Sequence, residues 1–413
     1  MFNAKILLLE VLQNVPSNWV VRMQQKVWRA AMVFILLSAF AYAQNQGSWE
    51  KENSQLTSFY NDGQYAEGLK VAQLSLDEAK RVMGTDNVNT TVFLNQIGRL
   101  YWKLYRYKDA EDAFKQSVDV REKVLGAEAP ALAESLNGLG EVYRDEGKLE
   151  EAELLFKRAL AISEKALGSE NPALAYSLDG LGETYEARGK LTEAEFVMKR
   201  ALELRKKKSQ DAPALLAYSL NNLGVIYLDK NELKSASSLL KQALKIQEQA
   251  LGSDHPDLAS TLTNLGTLSL EQGNSSQALH DLKRALSIKE DAFGSTSPAL
   301  TPVLNSLGIA DLRLGKMNEA FASFNRAVSI LETTLNLNTP FSATALFNLA
   351  TVERKQNNFK GAQQHLQQAV SIDERTYGKE SSMVKRDLES LAFVYDKLGM
   401  HAEATDALKR SRN

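Results

Sequence analysis

Leu136 to Pro172 reads LNGLGEVYRDEGKLEEAELLFKRALAISEKALGSENP, and a shift of 42 residues lays it on another copy of itself along almost the whole chain. Gly140 returns as Gly98, Gly182, Gly224, Gly266 and Gly308, then as Ala350 and Ala392, with no inserted or deleted residue between these marks. Four residues before each mark stands a leucine, from Leu94 to Leu388, and twelve after each an alanine, from Ala110 to Ala404. A period of this size predicts a repeat solenoid, in which a unit buries its apolar face only against its neighbours. With Leu56 marking a divergent first unit, the chain holds about nine units and no linker. A solenoid grows by stacking, so 413 residues need not divide into several globular domains.

Two amphipathic helices fill each period. In the first, helix A, core residues fall at −4, −1, 0 and +3 from the mark, as Leu136, Leu139, Gly140 and Tyr143 do, which is one stripe at 100° per residue. In the second, helix B, Ala152, Phe156, Ala159 and Leu160 follow the spacing i, i+4, i+7, i+8. Gly147, Gly189, Gly273, Gly315 and Gly399, with Asn231 and Asn357, share one turn position where a left-handed residue ends helix A. Pro130, Pro172, Pro256, Pro298 and Pro340 recur near the start of the next helix A, where a missing N–H costs nothing. The +3 aromatic is lost at Ser269, Asp311 and Glu353, which predicts looser packing there. After Leu204 the usual closure gives way to RKKKSQDAP, Arg205 to Pro213, a solvated helix end or a local contact for an anion or partner.

Composition narrows the chemistry. Hydrophobic residues make up 44% and charged residues 24%, enough apolar surface for a core. The net charge of −2 supplies no global field for nucleic acid or an anionic membrane. The chain has no cysteine, which excludes disulfides, thiolate catalysis and thiolate-ligated zinc. His255, His280, His365 and His401 lie in different units without metal-binding spacing. Gly138/Gly140 and Gly180/Gly182 resemble the start of a dinucleotide motif but fall inside predicted helices, so helix packing explains them. No phosphate-binding loop, nucleophile elbow or serine with a histidine nearby is present, and no enzyme or cofactor is expected.

Residues 1–22 do not join the repeat and read as a mis-assigned start. From Met23, Lys26 and Arg29 form a positive region, Ala30 to Phe40 an apolar one, and Ala41-Tyr42-Ala43 a small-residue cleavage site. The apolar run of about 14 residues falls short of the roughly 20 that span a bilayer. Residues 23–43 are therefore expected to be a signal peptide and 44–413 the solenoid of an exported, periplasmic or extracellular protein without stable membrane insertion.

LGSDHPDLASTLTNLG, Leu251 to Gly266, and EAELLFKRALAISEKALG, Glu151 to Gly168, closely resemble the tetratricopeptide repeats of kinesin light chains and their bacterial relatives. The resemblance covers nearly all of residues 44–413. It implies an all-α, right-handed superhelical solenoid of helix-turn-helix repeats whose A helices line a concave groove that binds peptides or protein segments. Kinesin light chains also carry an N-terminal heptad coiled coil that joins the motor; nothing in this sequence supplies one, so motor-cargo transport is not carried over.

Positions −6, −3, +1 and +4 of helix A lie on a stripe roughly 130° from the core stripe, which the resemblance places on the concave surface. Position −3 reads Asn95, Asn137, Asp179, Asn221, Thr263, Asn305, Phe347 and Glu389. Such an amide ladder either satisfies the backbone of an extended peptide or is locked in hydrogen bonds between repeats. Along the stripe the character passes from acidic, at Glu141 and Glu183, through apolar, at Leu228 and Leu270, to basic, at Arg354 and Lys355. This order predicts a ligand basic at one end and acidic at the other; solvated charge and repeat drift are the plainer reading. The expected function is a non-enzymatic scaffold that holds a protein or peptide partner. The alternative is a structural protein assembled by end-to-end stacking, against which Lys409, Arg410, Arg412 and Asn413 read as a solvated cap.

Overall fold

In the third unit, helix A ends on a backbone motif that most units repeat. Lys148 N–H donates to the carbonyl of Tyr143 at 2.8 Å and Gly147 N–H to that of Arg144 at 2.9 Å. Gly147 itself takes φ +81°, the left-handed residue that this helix stop requires. Asn231 and Asn357 take its place at φ +59° and +62°. In the second unit the position falls to Tyr105, at φ +59°, a residue for which turn chemistry gives no warning. Its ring meets that of Tyr107 edge-on at 6.1 Å, so side-chain packing offsets the backbone strain.

The computed structural model describes residues 51–412 apart from 61–63, 208–211, 336 and 338. The expectations for residues 1–22 and 23–43, the turn at Gly63 and part of the 205–213 closure lie outside the described residues. Among those described there is no strand. Helices of 14 and 19 residues alternate in the regular units, as in Thr90–Lys103 and Tyr107–Leu125, or Leu132–Asp145 and Leu149–Leu167. Pro213 and Pro340 open the longer A helices Pro213–Asp229 and Pro340–Lys355. The fold is an all-α helical solenoid.

The marker glycines are seats for helix B side chains. A Cβ built on Gly140 would stand 2.9 Å from the ring of Phe156, and one on Gly180, in the next unit, 2.2 Å from the same ring. Phe156 is fully buried between the two A helices. Phe114 repeats this between Gly98 and Gly138, at 2.8 and 2.3 Å. A Cβ on Gly182 would meet the Met198 side chain at 2.6 Å in the same way, so helix packing accounts for both glycine pairs. Where the +3 aromatic is missing, polar groups fill the space in the eighth unit: Glu353, buried at 5% exposure, accepts from Asn358 at 3.1 Å and pairs with His365 at 2.7 Å.

Along the outer edge a second device joins units. Arg158, Arg200, Arg284 and Arg326 each reach back to the previous helix B, pairing with Glu122, Glu164, Glu248 and Glu290 at 2.5, 2.5, 2.8 and 2.6 Å. The same guanidiniums donate to the turn carbonyls of Ala127, Ser169, Ser253 and Ser295. Non-neighbouring units also meet, because the superhelix brings one turn against the next. Tyr65 stacks on Phe293 with centroids 6.0 Å apart, and a Cβ on Gly147 would lie 2.8 Å from Thr376 and 3.2 Å from Pro340.

Candidate functional site: the inner helix A surface

From Asn95 to Asn305 the −3 residues are buried, whereas Phe347 is half-buried and Glu389 exposed. Asn95, 1% exposed, donates to Glu134 at 2.8 Å and accepts from Ser135 at 3.0 Å, both on the next helix A. Asp179 pairs with Arg205 at 2.5 Å and faces Ser219 of the fifth unit at 3.4 Å. Asn221 donates to Asn222 at 3.1 Å and accepts from Asn264 of the sixth unit at 2.9 Å. Asn137 and Asn305, 5% and 9% exposed, each bury a carbonyl oxygen with no hydrogen-bond partner among the described residues. Of the two uses open to this row, bonds between repeats are what Asn95, Asp179 and Asn221 show, and at this depth little of those side chains is left for an external backbone; Asn137 and Asn305 show no such bond.

The carboxylates read as the acidic end are also partnered. Tyr176 Oη donates to Glu141 at 2.6 Å. Glu183 accepts from Tyr218, from Arg144, and from Asn222 at 2.7 Å. Arg144 turns its other face to Asp145 at 3.0 Å, and Asp145 accepts from Trp102 Nε1 at 2.8 Å. Burial pushes the Glu141 carboxyl up, against the pull of Tyr176, Arg144, Arg99 and Lys103. Burial, reinforced by the carboxylates of Asp229 and Glu183, pushes Glu186 up to about 8. This end is an interlaced wall of both signs rather than an acidic field.

Leu270 is a correction as well: at 2% exposure it belongs to the core between the sixth and seventh units. Leu228, half-buried, packs against the cluster of Ala236, Leu240, Leu265 and Leu268. At the basic end Lys355 is exposed, and the Arg354 guanidinium lies 5.0 Å from the centre of the Phe393 ring. Arg386 stacks at 3.9 Å over Phe347. What the inner surface offers to solvent is aromatic and cationic: Tyr176 and Tyr218 are each 42% exposed and Phe393 46%.

Two groups escaped the sequence reading. Arg99 and Lys103 stand over the Tyr60 ring at 4.6 and 5.5 Å; Arg99 holds the +1 stripe position of the second unit, which was the available signal, while Lys103 lies one residue beyond the stripe. The other is a polar row near the end of helix B, where Arg121, Gln247 and Lys289 each donate to the carbonyl ten residues on, that of Ala131, Asp257 and Ala299. Among the described residues no group of histidines and carboxylates could hold a metal ion, and no helix is long and apolar enough to cross a membrane.

The family model described as tetratricopeptide repeat matches residues 57–123, 93–165, 131–207, 215–291, 299–375 and 341–413. No curated protein matches the chain. Among solved structures, the apo form of the quorum sensor NprR from B. thuringiensis is similar over 89% of this chain and 98% of its own, at 15% identity and a TM-score of 0.52. The apo form of RapI matches over 69% of this chain and 98% of its own, at 18% identity and a TM-score of 0.50. Structures of kinesin-light-chain type are also found, such as a putative kinesin light chain of P. anserina with nearly identical repeats, 24% identical over 50% of this chain and 98% of its own at a TM-score of 0.40. At these identities the likeness is one of fold. Repeat after repeat, the chain belongs to the tetratricopeptide repeat family.

Proposed function

We propose that the protein is a non-enzymatic scaffold whose concave surface holds an extended segment of a partner protein. The observation that carries this reading is the exposure of Tyr176, Tyr218 and Phe393 on the inner helix A surface, where aromatic side chains gain most by being covered. Contact passes through these rings and through the cations of the same surface, Arg354 beside Phe393, Arg386 over Phe347 and the exposed Lys355, while the buried amides set the spacing of the A helices beneath. The segment is anchored by its apolar side chains, with acidic residues toward the eighth and ninth units. From residues 23–43 we place the protein outside the cytoplasm, in the envelope or beyond, which N-terminal sequencing of the processed form tests: a start at Gln44 is expected.

Residues 44–413 immobilised on beads, parent beside Tyr176→Ala/Tyr218→Ala, test the groove in an envelope extract. Proteins held by the parent and lost by the variant, with helicity unchanged, are the expected result. Retention of the same set by both would move the binding surface elsewhere.

A further inference from the structure

A cavity of about 490 Å³ lies where the first turn of the superhelix meets the second, bounded on one side by Tyr60, Tyr65, Lys103 and Tyr105 and on the other by residues of the fifth to seventh units. We infer that it binds a small ligand made of an anionic group on a flat apolar body, an aromatic acid in the simplest case. Tyr218 belongs both to this wall and to the groove; the inference nevertheless goes beyond the groove reading, because it concerns a small ligand held between the two turns and is tested without a protein partner.

Four features point to this chemistry. Lys103 and Lys289 reach the cavity from opposite turns, and among the described residues neither has an ion pair; Lys103 has the rings of Tyr60 and Trp102 beside it at 5.5 and 4.5 Å, whereas for Lys289 the charge is costly to hold away from water. Lys289 donates to the Ala299 carbonyl at 2.8 Å, which occupies one of its three N–H bonds. Gln247 and Thr261 line the same wall, on side chains 5% and 0% exposed, and neither Gln247 Oε1 nor Thr261 Oγ1 has a hydrogen-bond partner among the described residues. The stacked pair Tyr65 and Phe293, with Tyr105, gives the space flat apolar sides. The volume falls within the range of small-molecule sites. Asp257 is the one carboxylate of the lining; its side chain is 68% exposed, at the rim, where solvent screens it.

Burial, with the charge of Lys103, lowers the Lys289 ammonium to about 8. The groups facing it are Lys103, the phenols of Tyr60, Tyr65, Tyr105 and Tyr218, and Asp257 at the rim. An anion prefers the charged amine, so affinity should hold steady from pH 6 to pH 7 and fall as pH rises through about 8.

Calorimetric titration of the full chain with 1-naphthoate, 1-naphthamide and inorganic phosphate tests the assignment. One site for naphthoate is expected, with the amide and phosphate at least tenfold weaker. Lys289→Met and Lys103→Met should each weaken naphthoate about tenfold. Thr261→Val, which removes a buried hydroxyl without a partner, should weaken it several-fold while leaving the melting temperature unchanged or higher; it also covers the case in which a lysine variant does not fold. Equal binding of naphthoate and naphthamide would overturn the anionic requirement, and phosphate as tight as naphthoate the apolar one. Naphthoate binding unchanged in Lys289→Met, or in Thr261→Val, would place the site elsewhere.

Discussion

Phe156 and the two glycines it touches show what a single position must satisfy here. Alanine is the better helix former by about 1 kcal/mol, yet in Gly180→Ala its Cβ would meet the Phe156 ring at 2.2 Å, and overpacking costs about 1–3 kcal/mol. Overpacking should prevail, since the ring is wedged on both sides, and a denaturation midpoint lower than the parent's is expected. The marker glycines were legible from spacing alone, because a small residue recurring every 42 positions has no other ready explanation. The −3 asparagines were legible as a row but not in their use, which depends on what stands one unit away: Ser135 beside Asn95, Asn264 beside Asn221. Glu186 permits a further test. Its folded pKa of about 8 lies above its ordinary 4.5, so stability is greatest below 4.5 and falls as pH rises through 8. Glu186→Gln should flatten the melting temperature between pH 5 and pH 9 and raise it at the alkaline end; a slope identical to the parent's would count against the buried carboxyl.

At the level of the element, one helix B is fastened to the next by a guanidinium that meets a carboxylate and a turn carbonyl together. Exposed pairs contribute about 0.2–1 kcal/mol, and Arg284 and Glu248 are only 32% and 39% exposed. Arg284→Ala should therefore lose about 1 kcal/mol, of which a double-mutant cycle with Glu248→Ala recovers the ion-pair share. Helices and turns were readable because each depends on neighbours within a few residues. Tyr105 was not, since the strain at φ +59° is offset by a ring contact. Nor was the burial of Leu270, because a stripe drawn on one helix ignores the helix that covers it.

Over the whole molecule, two kinds of contact act on different scales. Each unit is held to its neighbours by continuous apolar packing, whereas successive turns meet at scattered points such as Tyr65 against Phe293. Unfolding should accordingly proceed by groups of units rather than in one step. Tyr65→Ala/Phe293→Ala should leave helicity nearly unchanged while the radius of gyration in X-ray scattering increases, because both rings are half-buried and the fully buried cores behind them stay in place. An unchanged radius would mean that stacking alone fixes the pitch.

That seam constrains how such a chain can change length. Tyr65 and Phe293 stand 228 residues apart, and Gly147 and Thr376 229, so each crossing spans more than five repeats and fewer than six. Duplicating or deleting one whole repeat inside that span would preserve the reading of helix on helix and pass unnoticed by every neighbour. Across the seam, however, it would slide the thread by one tooth, setting Tyr65 opposite a residue that never faced it. Growth by single repeats is thus neutral locally and mismatched globally, and the number of repeats and the pitch of the coil are inherited together.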